Sequence, residues 1–421
     1  MKSVLGIAVL LTWFARCNEH GVEVPDPHDP HGPAAGHSGS EDDAGVEEAV
    51  SNCTPTDLYK PRACENRNNP CYGLRKYTPK YELWADGAEK ERFIYLPPGA
   101  TIDTANPDRW NFPKNTKIFK TFSVDGLRIE TRVMTKLSDQ AGSANWSFVA
   151  FKWNAEQTEA TQLDAMEAAN GVQNHLSNHD IPKTDDCKNC HTVPGTDAVN
   201  GFGALDLNYD GAGFTLRELL DKRLLTNAQG PTMITVDNAR LPGRGVTRDA
   251  LGYLHANCGH CHGSASPKAR LQLWASTGTP DLCMQPAYKD AVAQLLCTWT
   301  GHAIPNGNGE NYVERIVPGD AAHSGMIARM KARPMPNDGG RGKADQMPKI
   351  ATEVPDQRGI EIVSRWIESR EIERCLNDGD YVQNVCPPKP VAGTGGSSGG
   401  AGASGMGAAG AGGATAGAGG G

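Results

Sequence analysis

Hydrophobic and polar positions divide the chain into a strand-like part followed by a helix-like part. Apolar and polar residues roughly alternate between turns rich in Gly, Pro and Asn, which predicts strands over 91–96, 117–122, 127–135 and 146–153. This alternation predicts a sheet with one buried face and one solvated face. From about residue 155 the pattern changes to short helices. We therefore expect an α+β fold, with a β-rich N-terminal domain followed by a mainly α-helical region.

Three helices are indicated by apolar residues at helical spacing. The first covers 215–225 and opens with a capping box, because Thr215 precedes Glu218 by three positions. The second starts near Thr247 and runs towards residue 257. The third covers 355–373. Its predicted buried face consists of Ile360, Val363, Trp366 and Ile367.

The two ends of the chain have compositions that cannot form a core. The net charge of the 421 residues is -8, and residues 18–52 hold nine acidic residues without any Lys or Arg. The last residues are almost entirely Gly and Ala. Such segments bury too little apolar surface to offset the entropy of ordering, so we expect a disordered acidic tether and a disordered tail. The part between them is near neutral, which argues against nucleic acid as a partner.

An apolar run at the N-terminus indicates export. Residues 3–15 have the length of a signal-peptide core and are too few to span a bilayer. The run ends at Cys17, and the acidic tether follows. This order resembles a bacterial lipoprotein signal, which implies lipidation of Cys17 and attachment to a membrane, although Phe14 and Arg16 depart from the usual cleavage-site residues. The expected location is the periplasm or the cell surface.

Twelve cysteines are many for a protein of a reducing compartment, which also favours export. Eight of them lie outside the two motifs described next: Cys17, Cys53, Cys64, Cys71, Cys283, Cys297, Cys375 and Cys386. Spacing predicts local disulfides between Cys283 and Cys297 and between Cys375 and Cys386. The pairing among the three cysteines of residues 53–71 stays open.

Two Cys-x-x-Cys-His motifs are the most specific features of the sequence. They consist of Cys187, Cys190 and His191 and of Cys258, Cys261 and His262. This is the attachment pattern of c-type haem, in which two thiols bind the vinyl groups and the histidine binds the iron. A chain of this length and composition is expected to contain only about 0.01 such motifs by chance. The motifs therefore predict two covalently bound haem c groups.

Zinc binding and thiol–disulfide exchange are the alternative chemistries for these motifs. Paired zinc-binding units usually lie about 15–20 residues apart, whereas 67 residues separate Cys190 from Cys258. A thioredoxin-like motif needs a βαβ context, which the pattern around the motifs does not show.

The order of the second helix, the second motif, Met347-Pro348 and the third helix resembles a class I cytochrome c domain. The resemblance implies that Met347 is the distal ligand of the second iron, with Met335 as the main alternative and Met326 and Met330 as weaker ones. For the first iron, the candidates are Met233, His175 and His179. An iron with an open position is the remaining alternative for that site.

Short motifs spread over residues 79–370 resemble a largely uncharacterised family of bacterial diheme c-type cytochromes. In the N-terminal half they lie at 81–90, 93–99, 110–113, 120–122 and 129–132. In the C-terminal half they lie at 181–182, 207–208, 253–257, 317–320 and 329–330. The resemblance implies an exported two-haem protein with a β-rich N-terminal part, and it implies no substrate.

Seven segments are predicted along the chain. They are a signal peptide (1–17), the acidic tether (18–52), a Cys-rich segment (53–78), a β-rich domain (79–160), a first haem region (161–240), a second haem domain (241–387) and the tail (388–421). The predicted function is electron transfer between redox partner proteins of the periplasm or cell surface. Two alternatives are a peroxidase-like diheme oxidoreductase with one open iron and a surface binding module with a subsidiary haem part.

Overall fold

The computed structural model describes residues 50, 52–193, 196–197, 199–211, 213–227, 233–263, 266–267, 271–294, 312–333, 346–349 and 352–377. These residues belong to one structural unit. The predictions for the signal peptide, for nearly all of the acidic tether and for the glycine-rich tail lie outside the described residues. The same holds for those that concern Cys17 and Met335, and Cys297 and Cys386 are themselves outside the described residues.

A six-stranded antiparallel sheet forms the N-terminal part of the fold, with its strands adjacent in chain order. The strands are β1 (Arg75–Tyr77), β2 (Glu89–Tyr95), β3 (Lys117–Val124), β4 (Leu127–Lys136), β5 (Trp146–Trp153) and β6 (Ala160–Gln162). The four predicted strands are confirmed, with ends that differ by at most two residues. The edge strands β1 and β6 were not predicted, because three residues are too few to show alternation.

Both faces of this sheet are covered by protein, so the prediction of a solvated face is wrong. Ile118 packs on one face in a cluster that includes residues from 199–239. The next residue, Phe119, packs on the other face against apolar residues of 50–74. Alternation within a strand reveals the two faces, but it cannot reveal that distant segments cover both of them.

Helices and two short strand pairs make up the regular structure outside the sheet. The helices are α1 (Pro55–Leu58), α2 (Ala165–Asn170), α3 (Thr184–Cys190), α4 (Ala204–Leu207), α5 (Leu216–Asp221), α6 (Val246–Asn257), α7 (Pro286–Ala291), α8 (Gly325–Lys331), α9 (Gln357–Ile367) and α10 (Arg370–Arg374). The strand pairs are β7 (Thr192–Val193) with β8 (Thr196–Asp197) and β9 (His262–Gly263) with β10 (Ser266–Pro267). The mixed helix and strand content agrees with the predicted class.

Helix α5 begins as predicted and ends early. The Thr215 hydroxyl caps it by accepting a hydrogen bond from the Glu218 N–H at 3.3 Å. The helix ends at Asp221 rather than at residue 225, because Leu225 forms a parallel β-bridge with Ile102. This bridge ties the segment after the helix to the loop between β2 and β3.

Helix α9 packs against α6 and centres a second core. The predicted buried face is confirmed, because Ile360, Val363, Trp366 and Ile367 are all buried. The helix ends at Ile367 rather than at residue 373, and α10 begins a new turn after Ser369. Gly359 allows the close crossing, since a Cβ at this position would overlap the Tyr253 ring.

The disulfides of the described residues differ from the predicted local pairs. Cys283 bonds to Cys375, so both predicted pairs, Cys283 with Cys297 and Cys375 with Cys386, are wrong. Leu282 and Ile372, which neighbour these cysteines, belong to the same apolar core, and packing therefore brings distant thiols together. In the N-terminal segment Cys53 bonds to Cys71, and Cys64 is also disulfide-bonded.

No helix within the described ranges combines the length and the apolar character needed to cross a bilayer.

Candidate cofactor-binding cavity

A large cavity lies between the sheet and the two Cys-x-x-Cys-His motifs. Its empty volume, including space open to solvent, is about 1460 Å³. Its apolar lining includes Leu83, Trp84, Ile118, Phe122, Phe148 and Trp274. The cavity therefore offers an apolar, partly aromatic wall of the kind that binds a planar cofactor.

The first motif lines this cavity with all three of its functional residues, Cys187, Cys190 and His191. Both thiols are on α3, and the helix ends at His191, whose N–H donates to the Cys187 carbonyl at 3.0 Å. The Phe148 ring of β5 lies 5.7 Å from the His191 ring, measured between centroids. A short helix thus places two thiols and an imidazole at one wall.

The second motif follows directly from α6. Cys258 caps this helix, donating its N–H to the Leu254 carbonyl at 2.9 Å. His262 is buried at 9% exposure, and its carbonyl accepts from the Leu273 N–H at 2.6 Å. Gly259 keeps the turn tight, because a Cβ there would press on the backbone behind it. Of this motif, His260 lines the cavity.

The two motifs meet in space. The Cys261 side chain hydrogen-bonds to Cys190, and His260 also hydrogen-bonds to Cys190. The hydrogen bond from Cys261, followed by burial, raises the pKa of Cys190 to about 12. His260 is buried and its Nδ1 has no hydrogen-bond partner. The two motifs are therefore in direct contact, although 67 residues separate them in the sequence.

The four motif thiols differ from the other cysteines of the described residues, because none of them forms a disulfide. Burial raises the pKa of Cys258 to about 12, and it also raises the pKa of Cys187. The thiols of Cys187, Cys190 and Cys258 are therefore protonated at neutral pH.

The distal-ligand candidates lie at different places. Met347 is half-buried, its N–H donates to the Arg329 carbonyl at 3.0 Å, and its neighbour Pro348 lines the cavity. Met233 is 37% exposed and does not line the cavity. Met335 lies outside the described residues.

His179 lines the cavity and belongs to a buried charged network. Its Nε2 lies 3.0 Å from Oε1 of Glu130, and its ring stacks on Phe122. Glu130 also accepts two hydrogen bonds from Arg132. Burial alone would raise the pKa of Glu130, but the charge of Arg132 and the hydrogen bonds lower it. The carboxylate is therefore ionised, and Nδ1 is the remaining nitrogen of His179.

A second histidine supports the end of α6 beside the cavity. His255 is buried, and its Nδ1 accepts from the Ala275 N–H at 3.2 Å. Its Nε2 lies 3.7 Å from a carboxylate oxygen of the buried Asp206. The ring also packs 4.1 Å from the Trp274 ring. These contacts fix the backbone that leads into Cys258.

Several cavity residues were not predicted from the sequence. They are Arg92, Lys120, Arg132, Asp206, His255, His260 and Trp274. The strand pattern predicts one solvated face, so it gives no sign that charged residues of β2, β3 and β4 line a cavity. Strand register, once known, would have aligned them, since they occupy neighbouring positions of the sheet.

Within the described ranges, no group of three or more His, Cys, Asp or Glu side chains is arranged to hold a metal ion. Comparison with protein-family models, with curated proteins and with solved structures gives no match to this chain.

Proposed function

We propose that the chain is an exported diheme c-type cytochrome that transfers electrons between redox partner proteins. The observation that carries the proposal is that Cys187, Cys190 and His191 line one large apolar cavity, which His260 of the second motif also reaches. The four motif cysteines form no disulfide, while other cysteines of the described residues do. Covalent attachment of two haem groups requires cysteines that are not disulfide-bonded.

The residues at the first motif fit such a group. Two thiols and an imidazole lie at one wall, and aromatic side chains line the interior. The buried Nη1 of Arg92 has no hydrogen-bond partner among the described residues, which suits a ligand with anionic groups. When bound, the haem would supply one-electron chemistry, and the protein would set its potential through ligands, burial and hydrogen bonds.

Contact between the motifs supports electron transfer from one haem to the other. Because Cys261 hydrogen-bonds to Cys190, the attachment sites of the two groups are adjacent. His191 and His262 would be the proximal iron ligands, and Met347 the distal ligand of the second iron. The packing of α6 against α9 supports the similarity of the second region to a class I cytochrome c domain.

The disulfides among the described residues favour a protein that matures in an oxidising compartment such as the periplasm or the cell surface. A lipid anchor at Cys17 would keep it at a membrane.

The test is a pyridine haemochrome assay with intact mass, on the full chain exported from a host that attaches c-type haem. We expect two covalent haems in the wild-type chain. Cys187→Ala with Cys190→Ala should carry one, and so should Cys258→Ala with Cys261→Ala. The matched control, Cys53→Ser with Cys71→Ser, should carry two. A wild-type chain without haem would refute the proposal and return attention to zinc or disulfide chemistry.

A second candidate function, peroxide reduction, is favoured by the network of His179, Glu130 and Arg132. Arg132 lies near the thiols of Cys187 and Cys190. Reduction of hydrogen peroxide to two waters consumes two protons and two electrons. The imidazole of His179, held by Glu130, could carry a proton, and Arg132 could stabilise negative charge. A partner protein would supply the electrons.

Peroxide-dependent oxidation of a reduced donor protein distinguishes this candidate from simple electron transfer. If it operates, His179→Gln should lower the peroxide rate by about 100-fold or more while the haem content stays at two. The first haem should also bind carbon monoxide. A rate equal to that of the wild type in His179→Gln would exclude a role for this network.

A further inference from the structure

Three cations lie in one row across the sheet. Arg92 of β2 is directly opposite Lys120 of β3, and Lys120 is directly opposite Arg132 of β4. Side chains at such positions share a face and lie about 5 Å apart at Cβ. Like charges at directly opposed positions destabilise a sheet. The three opposed cations therefore destabilise the sheet, so the stability of the fold does not explain their presence.

Two of these cations lack an acidic hydrogen-bond partner within the described ranges. Arg92 is buried at 3% exposure, and no described group hydrogen-bonds to its Nη1. The Lys120 ammonium lies 4.7 Å from the Phe122 ring centroid, and no ion pair or hydrogen bond to it occurs among the described residues. Only Arg132 is neutralised, by Glu130. An unpaired buried charge is costly unless a counter-ion binds.

The surrounding charges do not remove this excess. Lys90 adds a further positive charge near Arg92 and Lys120. Glu82 and Asp206 act on Arg92 from a distance, without a hydrogen bond to it. Burial, followed by the charges of Arg92 and Arg132, holds the pKa of Lys120 well below its usual value. An anion at this wall would restore the charged form of the lysine.

All three cations line the cavity that also contains Cys187, Cys190 and His191. A c-type haem is bound to thiols at its vinyl edge and carries two propionate carboxylates at the opposite edge. We propose that Arg92 and Lys120 bind the propionate carboxylates of the haem attached to Cys187 and Cys190. This inference rests on the proposed function and adds a residue set that positions the group and tunes its potential.

The test uses the full chain with attached haem and measures its reduction potentials by spectroelectrochemistry from about pH 5 to about pH 9. Lys120→Met and Arg92→Gln remove one charge each, and Lys120→Arg retains it. The matched control is Lys152→Gln, on the same sheet, because Lys152 pairs with Glu167 and does not line the cavity. Haem content is measured in every sample.

Loss of a cation near a carboxylate destabilises the reduced haem and raises the pKa of the carboxylate. We expect Lys120→Met and Arg92→Gln to lower the reduction equilibrium constant of one haem about tenfold, which is about 59 mV for one electron. In these two variants we also expect the reduction potential of the affected haem to become pH-dependent. Lys120→Arg and Lys152→Gln should stay within about twofold of the wild type. Arg92→Gln carries the same readout if Lys120→Met does not fold.

Three results would overturn the assignment. If both charge-removing variants hold two haems and behave like Lys152→Gln, the cations do not contact propionates, and the proposed function still stands. If added succinate shifts the haem spectrum of the wild type but not that of Lys120→Met, the cations bind a free carboxylate instead. If the wild-type chain holds no covalent haem, the proposed function fails, and this assignment fails with it.

Discussion

Lys136 and Asp197 form a buried ion pair that joins the sheet to the segment following the first motif. Nζ of Lys136 lies 2.5 Å from Oδ1 of Asp197, and both side chains have zero exposure. Asp197 also accepts hydrogen bonds from the backbone N–H groups of Phe112 at 2.8 Å and Gly142 at 2.9 Å. The ion pair thus holds the segment that follows His191 against the C-terminal end of β4.

Removing one member of this pair should strongly destabilise the protein. Lys136→Met leaves the Asp197 charge buried without its partner, so we expect a loss of about 3–5 kcal/mol in the free energy of unfolding, measured in urea. Lys136→Met combined with Asp197→Leu should cost less than the single change. The control is Lys188→Gln, because Lys188 pairs with Asp185 at the surface, and it should change stability by less than about 1 kcal/mol.

The close crossing of α6 and α9 predicts that Gly359→Ala destabilises the second core. The added Cβ would overlap the Tyr253 ring and force the helices apart, which should cost about 1–3 kcal/mol in thermal unfolding. Tyr253→Leu should recover part of this loss. Gly278→Ala is the matched control, since a Cβ there meets no atom within 4 Å. Equal effects of the two glycine substitutions would contradict the crossing.

The Glu130 network predicts a stability difference that depends on pH. The folded-state pKa of Glu130 is lowered, so its contribution is present above the unfolded-state pKa and is lost as the pH falls through the folded value. At neutral pH, Glu130→Gln should therefore lose about 3–5 kcal/mol relative to the wild type. The difference should narrow below about pH 4. If urea titrations at neutral pH and below about pH 4 give the same stability difference between the wild type and Glu130→Gln, the network does not have this role.

The long-range disulfide predicts a larger stabilisation than the short one. Cys283–Cys375 spans 92 positions and Cys53–Cys71 spans 18. From the loop entropy, we expect about 4.5 kcal/mol for the first and about 3 kcal/mol for the second when each pair is replaced by serine. Peptide mapping without reduction should find a peptide that links Cys283 to Cys375. A peptide linking Cys283 to Cys297 would disprove the observed connectivity.

The distal-ligand assignment predicts distinct effects of two methionine substitutions on the protein with attached haem. Met347→Ala should lower the potential of one haem, because a thioether ligand raises it, and should let that haem bind carbon monoxide. Met233→Ala should change neither property, since Met233 lies at the surface. Reversal of these two results would assign Met233 as the ligand.

Local periodicity in the sequence was sufficient to predict several helices and strands. The run 146–153 has strand limits identical to those of β5, because its alternation lies within one element. The buried face around Trp366 was predicted for the same reason. The spacing of Cys187, Cys190 and His191 likewise marks one helical turn and its end. Residues that act within one element are close in sequence, so their pattern is visible there.

Tertiary structure alone decided how these elements combine. Cys375 pairs with Cys283 because α10 and the segment around Leu282 share one core, which no spacing rule contains. The charged residues of β2, β3 and β4 form one row only after the strand register is fixed. The sequence by itself supplied the two motifs and the prediction of haem attachment that rests on them. Packing and register determined that the motifs and the cations face one cavity, since contacts between distant segments depend on the whole core rather than on any local pattern.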